Sequence, residues 1–209
     1  MESTPTYKKV FGIGLNKTGT TSLAYCLKRL GFKHMGCRKD LLEALVRKEY
    51  IKIFAEIDKY QSFEDWPYPL MFKELWERYG ANARYILTER VSDSVWIESL
   101  KKHSLRTDPL NHCRLLAYGY NYPHENENAH LSFYNEHNQR VKNFFACEGR
   151  AEFLTVLSWE RGDGWAELCR FLDLKQPNDP FPHENKAVIP DNDILQGNLD
   201  RIRFATRDQ

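Results

Sequence analysis

Apolar residues fall into short runs separated by polar loops, and the period of each run predicts its element. Lys9 to Gly14 (KVFGIG) is a compact apolar run ending at glycine. From Thr21 to Leu30, leucines at 23, 27 and 30 recur at helical spacing until Gly31. The pattern predicts strand, tight loop, helix. A second amphipathic helix is predicted over Asp40 to Lys48, and Tyr50 to Ile57 alternates weakly, as a strand would. The turn-like Asp65-Trp66-Pro67 precedes a helix from Pro69 to Tyr79, with proline in its first turn and Gly80 at its end. The rhythm then repeats, with a strand at Ala83 to Leu87 (ARYIL) and a helix at Ser92 to Lys102.

Between Thr107 and Cys147 the chain becomes helical, aromatic and rich in histidine. Helices are predicted there over Leu115 to Tyr122 and Phe133 to Phe145, as a lobe laid over one edge of the sheet. Strand character returns at Glu152 to Leu157. Gly164 to Leu172 reads as a helix with Trp165, Leu168, Cys169 and Leu172 as its apolar stripe. Beyond Pro177 the periodicity fades, and the tail is expected to be an extended wrap. Alternating strands and helices imply an α/β fold of three layers, α/β/α, around a mostly parallel sheet. Ligands of such sheets lie beyond the carboxyl ends of the strands. That rule directs attention to Gly14 to Ser22 and Thr88 to Ser94.

Composition narrows the class. The 209 residues, 42% hydrophobic and 13% aromatic, are an ordinary globular mixture, expected to form one domain over 1–209 with the lobe at 107–147. A net charge of +1 provides no global field for nucleic acid or anionic membrane, so any anion site must be local. The five cysteines are scattered and never form a C-x-x-C pair, which disfavours a disulfide framework and a zinc knuckle. No stretch approaches the roughly 18 apolar residues of a membrane span. A cytoplasmic protein is the expectation.

The loop Gly14-Leu15-Asn16-Lys17-Thr18-Gly19-Thr20-Thr21-Ser22 has the G-x4-G spacing of a phosphate-binding loop, but its lysine lies inside the loop, and Thr20 stands where a Walker lysine would be. Glycines let backbone N–H groups turn inward. The helix that follows presents unpaired donors at its positive end, and the hydroxyls add more. The local physics favours a phosphate or a similar anion. Arg90, emerging from the carboxyl end of the strand at 83–87, offers a planar fork suited to bidentate phosphate binding.

With the strand before it, Lys17-Thr18-Gly19-Thr20-Thr21-Ser22 resembles the 5'-phosphosulfate loop of the sulfotransferases. Arg90 followed by a serine on the next helix resembles their 3'-phosphate motif, although the family often shows Arg-Asp-Pro where this chain has Arg90-Val91-Ser92. Asp65-Trp66-Pro67, Trp165 to Leu172 and Pro180-Phe181-Pro182-His183-Glu184-Asn185 also look like features of small single-domain members. The resemblance implies a P-loop NTPase-like sulfotransferase fold and 3'-phosphoadenosine-5'-phosphosulfate as donor. It implies a small-molecule hydroxyl acceptor and no metal. It makes Lys17 the catalytic lysine, with Asn16, Thr18, Gly19, Thr20, Thr21 and Ser22 as phosphate ligands. Arg90 and Ser99 become the 3'-phosphate ligands, with Ser94 as the alternative serine.

The acceptor hydroxyl must lose a proton, and a positioned His, Glu or Asp can accept it. Asp65 heads the candidates and His137 follows, while Asp58, Glu56, His34 and His103 stay open. His112, His124, His130 and His137 lack the spacing of a metal site. Tyr118, Tyr120, Tyr122, Phe133 and Tyr134 suggest a flat or lipophilic acceptor. The rival readings are a P-loop kinase or nucleotide hydrolase, opposed by the missing lysine after Gly19, and a noncatalytic nucleotide-binding member of the fold.

Overall fold

A computed structural model describes residues 7–182 and 192–205. Its sheet has five parallel strands: β1 (Lys9–Gly12), β2 (His34–Met35), β3 (Ser62–Phe63), β4 (Ala83–Thr88) and β5 (Leu154–Leu157). Their order across the sheet is β2-β3-β1-β4-β5, so β1 is central, with Val10 opposite Ser62 on one side and Arg84 on the other.

The period of two sorts each strand between two cores. Phe11 and Ile13, with Tyr85 and Leu87 of β4, face one cluster. Val10 and Ile86 face the other, together with Leu23 and Leu27 of α1 (Thr20–Arg29) and Leu168 and Leu172 of α8 (Trp165–Leu172). The first cluster is covered by α2 (Lys39–Val46), α3 (Tyr50–Ile57), α4 (Phe72–Tyr79) and the end of α7 (Glu127–Phe145). Both faces of the sheet are therefore buried, as parallel sheets require.

A third cluster stands off the sheet, near the loop after β1. It joins Leu15 and Trp66 to Trp96, Ile97 and Leu100 of α5 (Asp93–Leu105), to Ala117 and Tyr118 of α6 (Arg114–Tyr118), and to Tyr134 of α7. This is the helical lobe, and its apolar side clamps the loops that leave the strands.

Several predicted elements change. Tyr50 to Ile57 is a helix rather than a strand: its buried residues Ile53 and Ile57 are four apart, one helical turn, while Ile51, which made the sequence look alternating, is exposed. The strands on that side of β1, β3 beside it and β2 beyond, are two residues each and too short to show a period. The segment predicted as one helix from Pro69 begins as a short 3-10 turn at Tyr68–Met71 before α4. In the lobe, α6 stops at Tyr118 because Gly119 takes a left-handed φ of 80°, and α7 starts at Glu127, earlier than its aromatic run suggests. The tail is not wholly extended either: α9 (Asn192–Ala205) lies against α5, where the Asn198 side-chain amide donates to the carbonyls of Ser104, Leu105 and Thr107.

Candidate active site

The loop between β1 and α1 is held from three sides. Gly14 lies so close to β4 that a Cβ would sit 2.5 Å from the Thr88 carbonyl oxygen. Gly19 has φ 92°, the left-handed region, and a Cβ there would meet the Trp159 ring at 2.2 Å. The Trp159 indole N–H donates to the Gly19 carbonyl at 3.1 Å. Trp96 donates from its indole to the Asn16 carbonyl at 2.9 Å, and the Tyr118 hydroxyl donates to Asn16 Oδ1 at 2.5 Å. The Thr18 hydroxyl donates to the Leu15 carbonyl and meets the Thr88 hydroxyl, each at 2.6 Å. Asn16 and Thr18 are thus buried supports of the loop.

What the loop leaves open is Lys17, at φ 67°, and the first turn of α1, whose N-cap Gly19 has no side chain to satisfy its N–H groups. Lys17, Asn16, Gly19, Thr20 and Thr21 line a cavity of about 410 Å³ at the carboxyl edge of the sheet. Ser22, within α1, is buried and does not line it. The other walls carry Cys37 and Lys39 after β2, Asp65 and Trp66 after β3, His103 of α5, and Asn111, His112 and Cys113 before α6.

Electrostatics inside the cavity are strongly perturbed. Burial lowers the pKa of Lys17, as do Arg90 and Arg106, while Asp65 acts to raise it. Burial also pushes the Asp65 carboxyl well above the usual range, with the neighbouring Glu64 adding to the rise and Lys17 opposing it. One Asp65 oxygen accepts the Trp66 amide at 2.8 Å. His103 and His112 meet Nε2 to Nε2 at 3.0 Å. Burial lowers them to about 3 and about 4 respectively, helped by Lys17 at His103 and by Arg114 at His112. Both imidazoles are neutral at physiological pH.

Arg90 lines a second cavity of about 280 Å³, together with Ser92, Asn138, Lys142 and Arg161. Its Nη1 pairs with Glu160 at 2.9 Å and its amide donates to the Tyr134 hydroxyl, yet its buried Nε has no partner among the described residues. A buried guanidinium donor without a partner fits an anion. Ser99 is half-buried on α5 and Ser94 bonds to the Ser92 hydroxyl; neither lines this cavity, where Ser92 stands instead.

The remaining candidates lie elsewhere. His137 is buried against β1, where its Nε2–H donates to the Ile13 carbonyl at 2.8 Å; burial lowers it to about 4. It faces a separate cavity of about 100 Å³ with Phe72 and Phe133, apart from Lys17 and Asp65. Asp58 pairs with Arg78 and Glu56 with Lys59. His34 bonds to Ser62 at 2.9 Å and does not line the Lys17 cavity. Tyr118, Phe133 and Tyr134 pack in the lobe core and none lines the Lys17 cavity; Phe133 borders the His137 cavity and Tyr134 the Arg90 cavity. Lys39, Asn111 and His112 carry no sequence signal of their own; Lys39 reaches the cavity from the start of α2, and Asn111 and His112 because the lobe folds back over the sheet edge. Of the motif at 180–185, residues 183–185 lie outside the described residues.

Among the described residues no group of three or more acidic, cysteine or histidine side chains could hold a metal ion, and no helix is long and apolar enough to cross a membrane. The chain is 26% identical over 220 residues to a protein of Aspergillus versicolor named Ava biosynthesis cluster protein M, covering 84% of this chain and 80% of that protein. Residues 9–188 match the family model described as the sulfotransferase domain. With an α/β fold built on a parallel sheet and a glycine loop after its central strand, the chain belongs to the sulfotransferase domain family.

Proposed function

We propose that the protein transfers a sulfonate group from 3'-phosphoadenosine-5'-phosphosulfate to a hydroxyl of a small polar acceptor in the cytoplasm. The observation that carries this reading is the meeting of Lys17 and Asp65 in one cavity beside the uncapped first turn of α1. The donor supplies the sulfonate and the leaving nucleotide. The chain's own residues supply position and charge. Amides of the first turn of α1, with Thr20 and Thr21, hold the 5'-phosphate end. Lys17 neutralises the negative charge that grows on the oxygen leaving sulfur, which is where a preformed cation lowers the barrier most. Asp65 takes the proton of the attacking hydroxyl, and its raised pKa makes it a stronger base than an ordinary carboxylate.

Arg90, whose Nε has no partner among the described residues, receives the 3'-phosphate beside the first turn of α5. Ser92 is the serine best placed to join it, with Ser94 beside it and Ser99 two turns farther on. The far wall, with His103, Asn111, His112 and Lys39, is polar, which favours an acceptor with additional oxygens over a purely lipophilic one.

Binding separates this donor from other nucleotides. At 100 times its dissociation constant, 3',5'-adenosine diphosphate stabilises the fold by about 2.7 kcal/mol through mass action, and Arg90→Ala removes most of its advantage over 5'-adenosine diphosphate. Thermal unfolding with each nucleotide measures both. Equal stabilisation by the two nucleotides in the unmodified protein sinks the assignment of the 3'-phosphate site.

A further inference from the structure

We propose that Cys37 and Cys113 form a dithiol modification site in the wall of the Lys17 cavity, which a peroxide converts to an intramolecular disulfide that suppresses turnover. The suppression, though not the site, rests on the functional reading above.

The two residues are 76 positions apart in sequence, yet their sulfurs lie 3.7 Å apart. Cys37 follows β2 and is exposed, while Cys113 stands at the entry to α6 and is buried. Both line the cavity that holds Lys17 and Asp65. The other three thiols are placed differently. Cys26 and Cys169 are buried in the core between α1 and α8, where burial raises their pKa values, that of Cys26 to about 12. Cys147 is exposed just beyond α7.

The geometry divides the roles within the pair. The two sulfurs share one hydrogen bond in which either can donate, and that bond together with Lys39 lowers the pKa of Cys113. Lys39 beside Cys113 favours its thiolate as the attacking group, and Cys37, the exposed member of the pair, resolves it. Cys113 thiolate attacks one peroxide oxygen, the O–O bond breaks, and hydroxide leaves to take up a proton. Cys37 then loses its proton and attacks the resulting sulfenic sulfur, expelling a second hydroxide that leaves as water. Two thiols and one hydrogen peroxide give one disulfide and two waters.

A disulfide draws its sulfurs to about 2 Å, so the new bond pulls the loop after β2 toward the lobe. That loop is tied to the turn carrying Asp65, because the Arg38 amide donates to the Trp66 carbonyl at 2.9 Å. Moving Cys37 thus moves the proposed base relative to Lys17, and the link fixes the lobe over the cavity.

The test uses the full chain with Cys147→Ser, which removes the exposed thiol outside the pair that could join two molecules. Hydrogen peroxide should lower the titratable thiols from four, the five cysteines of the chain less Cys147, to two. The mass should fall by two hydrogens, and a digest without reductant should yield a peptide joining Cys37 to Cys113. Turnover of a phenolic acceptor should drop about 10-fold or more and recover with dithiothreitol. Adding Cys37→Ser should abolish the linkage and the reversible loss. Linkage through Cys26 or Cys169, or no linkage, overturns the site; linkage with unchanged turnover overturns the suppression. A reduced protein that neither binds 3',5'-adenosine diphosphate nor turns over any acceptor overturns the functional reading and with it the suppression, while the mass and thiol count still decide the site.

Discussion

At Asp65 a non-glycine residue has φ 63° and a carboxyl held in a low-dielectric wall beside Glu64. Left-handed backbone is uncommon outside glycine, but aspartate is among the residues that tolerate it, and such conformations gather at functional sites. The turn at Trp66-Pro67 alone would explain the hydrogen bond from the Trp66 amide, yet it does not explain a carboxyl placed beside Lys17. As a base, Asp65 works only when ionised. Because its pKa is raised above 3.8, activity should fall as the pH drops through that raised value, at higher pH than an ordinary carboxylate would require. Asp65→Asn should lower kcat about 100-fold to 10,000-fold and remove this acidic limb of the kcat/KM profile, with 3',5'-adenosine diphosphate binding retained. An unchanged profile in the variant would show that another group takes the proton.

The β1–α1 loop acts as a unit whose shape is set by its neighbours. Gly19 takes a backbone conformation that costs an L-residue about 1–2 kcal/mol, and Trp159 occupies the space where a Cβ would go. Gly19→Ala should therefore destabilise the fold by about 1–3 kcal/mol and weaken 3',5'-adenosine diphosphate binding, because the Trp159 bond to the Gly19 carbonyl is lost as the loop shifts. Adding Trp159→Ala should restore part of the binding by relieving the clash, though not the backbone strain. Urea unfolding and nucleotide titration of the single and double variants separate the two contributions. Additive losses would show that Trp159 and Gly19 do not act on each other.

Across the whole molecule, the far-reaching contact is the one between α9 and α5. Asn198 is fully buried, and its amide serves three carbonyls at the end of α5, while its oxygen accepts from the Tyr122 hydroxyl. Without that amide the three carbonyls lose a donor, the Ser104 bond being buried and the other two part-buried. Asn198→Ala should cost about 1–3 kcal/mol by denaturant unfolding and loosen the segment between α5 and α6 that carries Asn111 and His112 to the cavity. A loss below about 0.5 kcal/mol would mean that water replaces the amide and that α9 is not what orders this end of α5.

The sequence by itself determined what local period and glycine placement can encode. β1, β4 and β5 show through their apolar runs, α1 and α8 through their stripes, and the Lys17 loop through two glycines after a strand. The family resemblance rests on that loop because phosphate recognition by backbone N–H groups needs a particular local geometry. Tertiary structure decided the rest. It turned Tyr50 to Ile57 into a helix, since burial of Ile53 and Ile57 on one side outweighs a weak alternation, and it drew strand pairing from two-residue segments that carry no period. It separated His137 from Asp65, and it brought His103 to His112 and Cys37 to Cys113. Such pairs depend on how a lobe of amphipathic helices folds back over the sheet edge. That return is set by packing among residues far apart in the chain, so no local pattern records it.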